Sequence, residues 1–188
     1  MRIIAGSFKG KKILEPNDTT TRPLKDLAKE SIFNIIEHSN KFNTQLINSN
    51  ILDLFSGVGS FGIECLSRGS KKVVFVENYS GVLPILKKNL SSLKIVKNYE
   101  ILENDIYNDK VLSKLNSKFD IIFLDPPFKD KNLSEFLLKL KNLEILNKNG
   151  LIIIHRHKDN NDNFSKKFKV VEEKKYGISK ISFLTNLN

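Results

Sequence analysis

The residues best suited to chemistry are Asp125-Pro126-Pro127-Phe128. They follow an apolar run, Phe119-Asp120-Ile121-Ile122-Phe123-Leu124, that reads as a buried strand. Proline fixes φ and has no N–H, so the residue before each ring stays extended and nearby carbonyl oxygens point outward. The corner therefore offers a carboxylate, a carbonyl and a flat ring in one place. Two oxygens can accept the hydrogens of an exocyclic amine on a planar base while the ring stacks on its face. A turn that merely ends a strand would use the same residues, so the tetrapeptide alone leaves both readings open.

A second constellation lies upstream. The run Ile51-Leu52-Asp53-Leu54-Phe55-Ser56-Gly57-Val58-Gly59-Ser60-Phe61-Gly62 carries a short apolar strand into G-x-G-x-x-G, and a helical pattern follows. Glycines there allow a sharp turn and close approach of a ligand to the backbone. Glu77 closes the next apolar strand, where a ribose-hydroxyl acceptor belongs. A pyrophosphate wants N–H donors without nearby negative charge. Asp53 stands inside the strand, four residues before Gly57, and would repel one. It suits a cationic cofactor such as S-adenosylmethionine (AdoMet). Asp105 follows Tyr99, Ile101 and Leu102 and is placed either to meet an adenine amine or to cap a helix.

The order of Gly loop, Glu77, Asp105 and Asp-Pro-Pro-Phe resembles the class I AdoMet-dependent amino-methyltransferases. Met1 to Ile13 (MRIIAGSFKGKKI) and Thr21 to Asn34 (TRPLKDLAKESIFN) resemble the opening of the RsmD family. Its members methylate the N2 amine of one guanine in 16S ribosomal RNA. The resemblance runs from Arg2 to the C-terminal strands, with Arg22-Pro23, Asp26, Glu30 and Phe33-Asn34 at the family spacing. Leu24 stands where the family usually has a small hydroxyl residue and Lys29 where it has Arg. His155-Arg156-His157 replaces an acidic residue near the end of the fifth strand.

The resemblance implies a Rossmann-like α/β fold: a mostly parallel seven-stranded sheet with an antiparallel C-terminal hairpin, preceded by a small β-hairpin and helix. It implies AdoMet as cofactor, held by Asp53, Phe55, Gly57, Gly59, Glu77 and Asp105. Asp125, Pro126 and Phe128 are the implied catalytic group. The implied partner is 16S ribosomal RNA, as the small subunit or an assembly intermediate. Other chemistries use similar corners. A DNA adenine-N6 methyltransferase usually brings a sequence-reading domain, for which this chain has no room. Protein-glutamine methyltransferases typically carry Asn-Pro-Pro-Tyr. A non-enzymatic nucleic-acid-binding module would not need an intact Gly57, Gly59 and Glu77.

Charge agrees with a polyanionic partner. Lys and Arg total 31 against 21 Asp and Glu, a net +10, which favours phosphate contacts through counterion release. Phe8, Lys9, Lys11 and Lys12 sit at the tip of an expected hairpin formed by 2–5 and 11–14. With Arg22, Lys25 and Lys29 they form the candidate RNA-binding set. His155 and His157 read as surface residues near that edge. With no Cys, Asp or Glu at ligand spacing around them, no metal is expected. Cys65 is the single cysteine, so no internal disulfide is possible. Without an apolar leader or membrane-length run, a soluble, cytoplasmic monomer is expected.

These residues need a scaffold. Length and pattern read as one domain over 1–188, with an extension at 1–40 and a core at 50–188. The stripe Leu27, Ala28, Ile32, Ile35, Ile36 predicts a helix over 26–38. Strands are expected near 51–55, 73–77, 99–103, 119–124 and 150–155, with helices between. A final antiparallel pair is expected over 168–171 and 178–184 around Gly177.

Overall fold

The computed structural model describes residues 1–16, 24–94, 98–115 and 117–187. Seven strands form one sheet: β1 (Asn50–Leu54), β2 (Lys72–Glu77), β3 (Tyr99–Glu103), β4 (Phe119–Leu124), β5 (Leu146–His157), β6 (Phe168–Tyr176) and β7 (Ser179–Asn186). Their order is β3-β2-β1-β4-β5-β7-β6. The first five pair in parallel, and β7 runs antiparallel to both β5 and β6. Among the described residues five helices lie between or before them: α1 (Asp26–His38), α2 (Ser60–Ser67), α3 (Leu83–Ser92), α4 (Asp109–Leu112) and α5 (Leu133–Asn142). This is the Rossmann-like class I methyltransferase fold that the resemblance implies.

Strands buried on both faces need apolar residues at every position, and the sequence supplies them. Ile51, Val73, Phe75, Ile121, Phe123, Leu151 and Ile153 face one core with α1, α2 and α3. Leu52, Leu54, Val74, Val76, Ile122, Leu124, Ile152 and Ile154 face the other, with α4 and α5. The chain departs from β1 toward β3 on one side and from β4 toward β5 on the other. The switch point therefore lies between β1 and β4, where open α/β sheets bind ligands beyond their carboxyl ends.

Three expectations change in detail. Residues 2–5 and 11–14 make one bridge, Arg2 to Lys12, rather than two strands. Ile4 and Ala5 spend their N–H groups on the Glu64 carboxylate, at 2.8 and 2.9 Å, instead of on a facing strand. On α1 the buried set is Ala28, Lys29, Ile32, Phe33 and Ile36, while Leu27 is 66% exposed. The inward face is set by an ionic partner, since Lys29 is buried against Glu64. The final antiparallel pair runs longer than its apolar stretch, because the charged residues Glu172 to Lys175 continue β6 along the sheet's outer edge.

The N-terminal segment is tied to the core at several points. Ser7 N–H donates to Ser67 O at 2.8 Å and Phe8 N–H to Ser67 Oγ at 3.0 Å. The Asn89 amide of α3 exchanges hydrogen bonds with Leu14 and also donates to Val58 O in the Gly loop. Phe33, Phe61 and Phe123 stack in sequence at 5.2 and 4.1 Å, joining α1 to α2 and to β4. The extension thus leans on the elements that carry the Gly loop.

Candidate active site

The loop after β1 turns through Phe55 to Gly59. Gly59 has φ +84 and precedes α2; a Cβ there would lie 2.5 Å from Leu86 Cδ1. Gly62 lets α2 settle onto the sheet, since a Cβ would meet the Phe75 ring at 2.3 Å. Beneath this turn, Asp53 Oδ2 accepts the Gly62 N–H at 2.9 Å. Its carboxyl is held well above the usual carboxylate range by burial. The Gly62 hydrogen bond opposes that rise, and Asp125 and Glu77 add to it.

Glu77 ends β2. Its Oε2 accepts from Gly57 N–H at 2.7 Å and its Oε1 from Asn78 and Tyr79 N–H at 2.9 and 2.8 Å. One carboxylate therefore shapes the Gly loop and the start of the next loop together. Phe55 adopts φ +58, in the left-handed region, and its ring lies 5.8 Å from that of Tyr107. Tyr107 is anchored by its hydroxyl to Asp130 Oδ2 at 2.6 Å.

Asp125 follows β4, and its N–H donates to Leu54 O at 3.3 Å. Asp125 Oδ1 lies 2.8 Å from His155 Nδ1 on β5, and His155 Nε2 lies 2.9 Å from Ser179 Oγ. Arg156 braces the corner from below: its guanidinium donates to Pro127 O at 2.8 Å and to Asp130 O at 2.7 Å. Asn160 Nδ2 donates to Phe128 O at 3.0 Å. Among the described residues none donates to the Pro126 carbonyl. The Phe128 ring meets His155 and His157 edge-on, at 5.9 and 5.2 Å.

A cavity of about 460 Å³ gathers Asp53, Phe55, Gly57, Glu77, Asp125, Pro126 and Phe128, along with Leu24 and His155. Gly59 shapes the loop from behind. Asp105 lies apart: it borders a small adjoining depression shared with Phe55, Glu77 and Asn78. Its Oδ1 accepts the Tyr107 N–H at 3.0 Å, which heads the turn before α4. Among the described residues no cation pairs with Asp53 or Glu77. A desolvated carboxyl among like charges suits a cationic nucleoside such as AdoMet and disfavours a pyrophosphate.

The RNA-facing set divides. Lys9, Lys12 and Lys25 are exposed. Lys11 is exposed but donates to Ser92 O. Phe8 packs half-buried on the core instead of standing at an open tip. Lys29 is a correction: it is fully buried, donates to Arg2 O at 2.6 Å and sits 3.6 Å from Glu64. Burial lowers its pKa, with Glu64 and Asp26 opposing. It cannot reach a phosphate. Arg22 lies outside the described residues. His155 is a second correction, at 5% exposed rather than on the surface, and its neighbour Arg156 is buried with it at 2%. Sequence reading passed them over because a His-Arg-His run at a strand end looks solvated. The signal available was their place on the strand after Asp-Pro-Pro-Phe.

The family model described as "Conserved hypothetical protein 95" matches residues 1–185. The chain belongs to that family, the RsmD family. A Haemophilus influenzae member, "Ribosomal RNA small subunit methyltransferase D", is 35% identical over 179 residues, covering 95% of this chain and 90% of its own. The Escherichia coli protein of the same name is 29% identical over 160 residues, covering 85% of this chain and 76% of its own. The solved structure of Escherichia coli yhhF superposes with a TM-score of 0.81 at 25% identity, covering 99% of this chain and 97% of that one. In this RsmD-family chain, no helix among the described residues is long and apolar enough to cross a membrane.

Proposed function

We propose that this chain methylates ribosomal RNA of the small subunit, with AdoMet as donor and the N2 amine of a guanine as acceptor. The observation that carries this reading is the shared cavity. It is lined by Asp125, Pro126 and Phe128 together with the Gly loop, Asp53 and Glu77. AdoMet, where bound, supplies an electrophilic methyl carbon on a sulfonium. Asp53, Glu77 and the Gly57 to Gly59 backbone are the residues to hold it, with Phe55 and Asp105 on the adenosine side.

The guanine N2 lone pair is delocalised into the ring and is a weak nucleophile. Asp125 and the Pro126 carbonyl accept its two N–H groups and localise that lone pair. Phe128 keeps the base flat. Asp125 takes the proton that the amine loses. Most of the acceleration comes from positioning and placed charge rather than from a strong base. The base must leave any duplex to reach the cavity.

The test incubates the chain with labelled AdoMet and protein-depleted, partly assembled or mature small subunits, and maps the labelled nucleotide. Label on guanine N2 is expected. Asp125→Ala should lower kcat by about two to three orders of magnitude, with little change in either binding constant. Near wild-type methylation by Asp125→Ala would return the corner to a structural turn.

A further inference from the structure

His155 plays no part in the chemistry described so far, yet its surroundings are built. β4 and β5 run parallel with Leu124 beside Ile154, so Asp125 and His155 come next on neighbouring strands. The imidazole is buried, and both of its nitrogens are engaged, Nδ1 by Asp125 Oδ1 and Nε2 by Ser179 Oγ. A carboxylate only accepts, so Nδ1 carries the hydrogen. With the hydrogen on Nδ1, Nε2 of a neutral ring is the acceptor for the Ser179 hydroxyl. Arg156, the next residue, points its charge at Pro127 O, Asp130 O and Asp162.

We infer that His155 is a positioning residue for the methyl transfer: it donates from Nδ1 to Asp125 Oδ1 and so aims Oδ2 at the substrate amine. The inference rests on the methyl-transfer reading above. Asp125 faces a cavity that also holds Asp53 and Glu77. Like charges push such a carboxylate to rotate toward solvent. A fixed donor at 2.8 Å holds it in place. Ser179, at the start of β7, engages the other ring nitrogen and steadies the ring. In the step served, one N–C bond forms and the donor's S–C bond breaks with its pair left on sulfur. The proton lost from the amine goes to Asp125 Oδ2, and His155 keeps its Nδ1 hydrogen throughout.

The experiment has a catalytic arm and a substrate-free arm. His155→Leu should lower kcat about ten- to a hundredfold, the worth of one hydrogen bond to a charged group, and leave AdoMet affinity unchanged. His155→Asn, whose amide N–H stands close to the Nδ1 position, should recover most of that rate. In an Asp125→Ala background, His155→Leu should cost nothing further, because its effect runs through the missing carboxylate. Imidazole ¹⁵N shifts of the free protein should report the Nδ1–H tautomer in wild type and a change in Asp125→Asn. Wild-type kcat in His155→Leu, an equal further loss in the Asp125→Ala background, or an Nε2–H tautomer overturns the inference. Failure of the wild-type chain to label guanine N2 overturns the parent reading instead, and the tautomer measurement still decides the Asp125–His155 link.

Discussion

Asp53→Asn sets two consequences of the same carboxyl against each other. Asp53 is 1% exposed, and the Gly62 N–H is the hydrogen-bond donor to its side chain among the described residues. An amide oxygen can still accept that bond. A charged acceptor is worth about 1.5–3 kcal/mol and a neutral one about 0.5–1.5, so the substitution costs about 1 kcal/mol there. Against this stands the burial of the charge, the leading cause of a pKa raised well above its unfolded value. At pH above the unfolded value the native state binds more protons, so stability falls as pH rises through the raised folded value. Desolvation leads the Gly62 hydrogen bond among the causes of that shift, so its relief outweighs the weakened bond. Without ligand, Asp53→Asn should melt about 2–4 °C higher than wild type at pH 8, corresponding to about 1 kcal/mol in a chain of this size. The gain should vanish toward pH 4. AdoMet affinity should drop about ten- to a hundredfold, because a cation loses a charged partner. Thermal melts from pH 4 to 9 and titration calorimetry read both effects. A variant that melts lower than wild type at pH 8, or binds AdoMet as tightly, refutes the argument.

Glu77→Ala should weaken AdoMet binding by about 1–3 kcal/mol and speed hydrogen exchange at Gly57, Asn78 and Tyr79, whose N–H groups lose their acceptor; unchanged affinity by calorimetry would remove Glu77 from the site. Changing Lys9, Lys12 and Lys25 together to Ala should reduce the slope of log K for RNA against log salt by about 2–3, if each meets one phosphate. AdoMet binding should be spared, and an unchanged slope would mean that these lysines face only solvent. Arg156→Lys keeps the charge but loses the fork that holds both Pro127 O and Asp130 O. It should lower kcat by up to about a hundredfold through misplacement of the corner, and a wild-type kcat would show that the corner holds itself.

The parallel sheet was legible because its strands carry apolar residues on both faces, as in Val73-Val74-Phe75-Val76 and Leu151-Ile152-Ile153-Ile154, and because glycines and acidic residues punctuate their ends. The cavity residues were legible for the same reason: most sit at or just beyond the end of a strand that could be read by itself. What escaped depended on partners remote in sequence. Lys29 goes inward for Glu64, which lies 35 positions away and also anchors Ile4 and Ala5. Periodicity counts apolar residues and cannot weigh an ion pair that forms only after α1 and α2 meet. His155 and Arg156 took their meaning from the register of β4 against β5, which no local pattern encodes.

Charge is distributed unevenly between the cavity and the outer surface. The chain is net +10, yet its cavity gathers Asp53, Glu77 and Asp125. A phosphate approaching that cavity meets repulsion over a few ångströms, where low-dielectric walls leave it poorly screened. On the exposed lysines the same phosphate is attracted. Under the proposed reading the two fields would sort a nucleotide by its parts, backbone outside and base inside. Only a base turned away from its own phosphates would satisfy both, which is the geometry that an exocyclic amine would need to meet Asp125 and the Pro126 carbonyl.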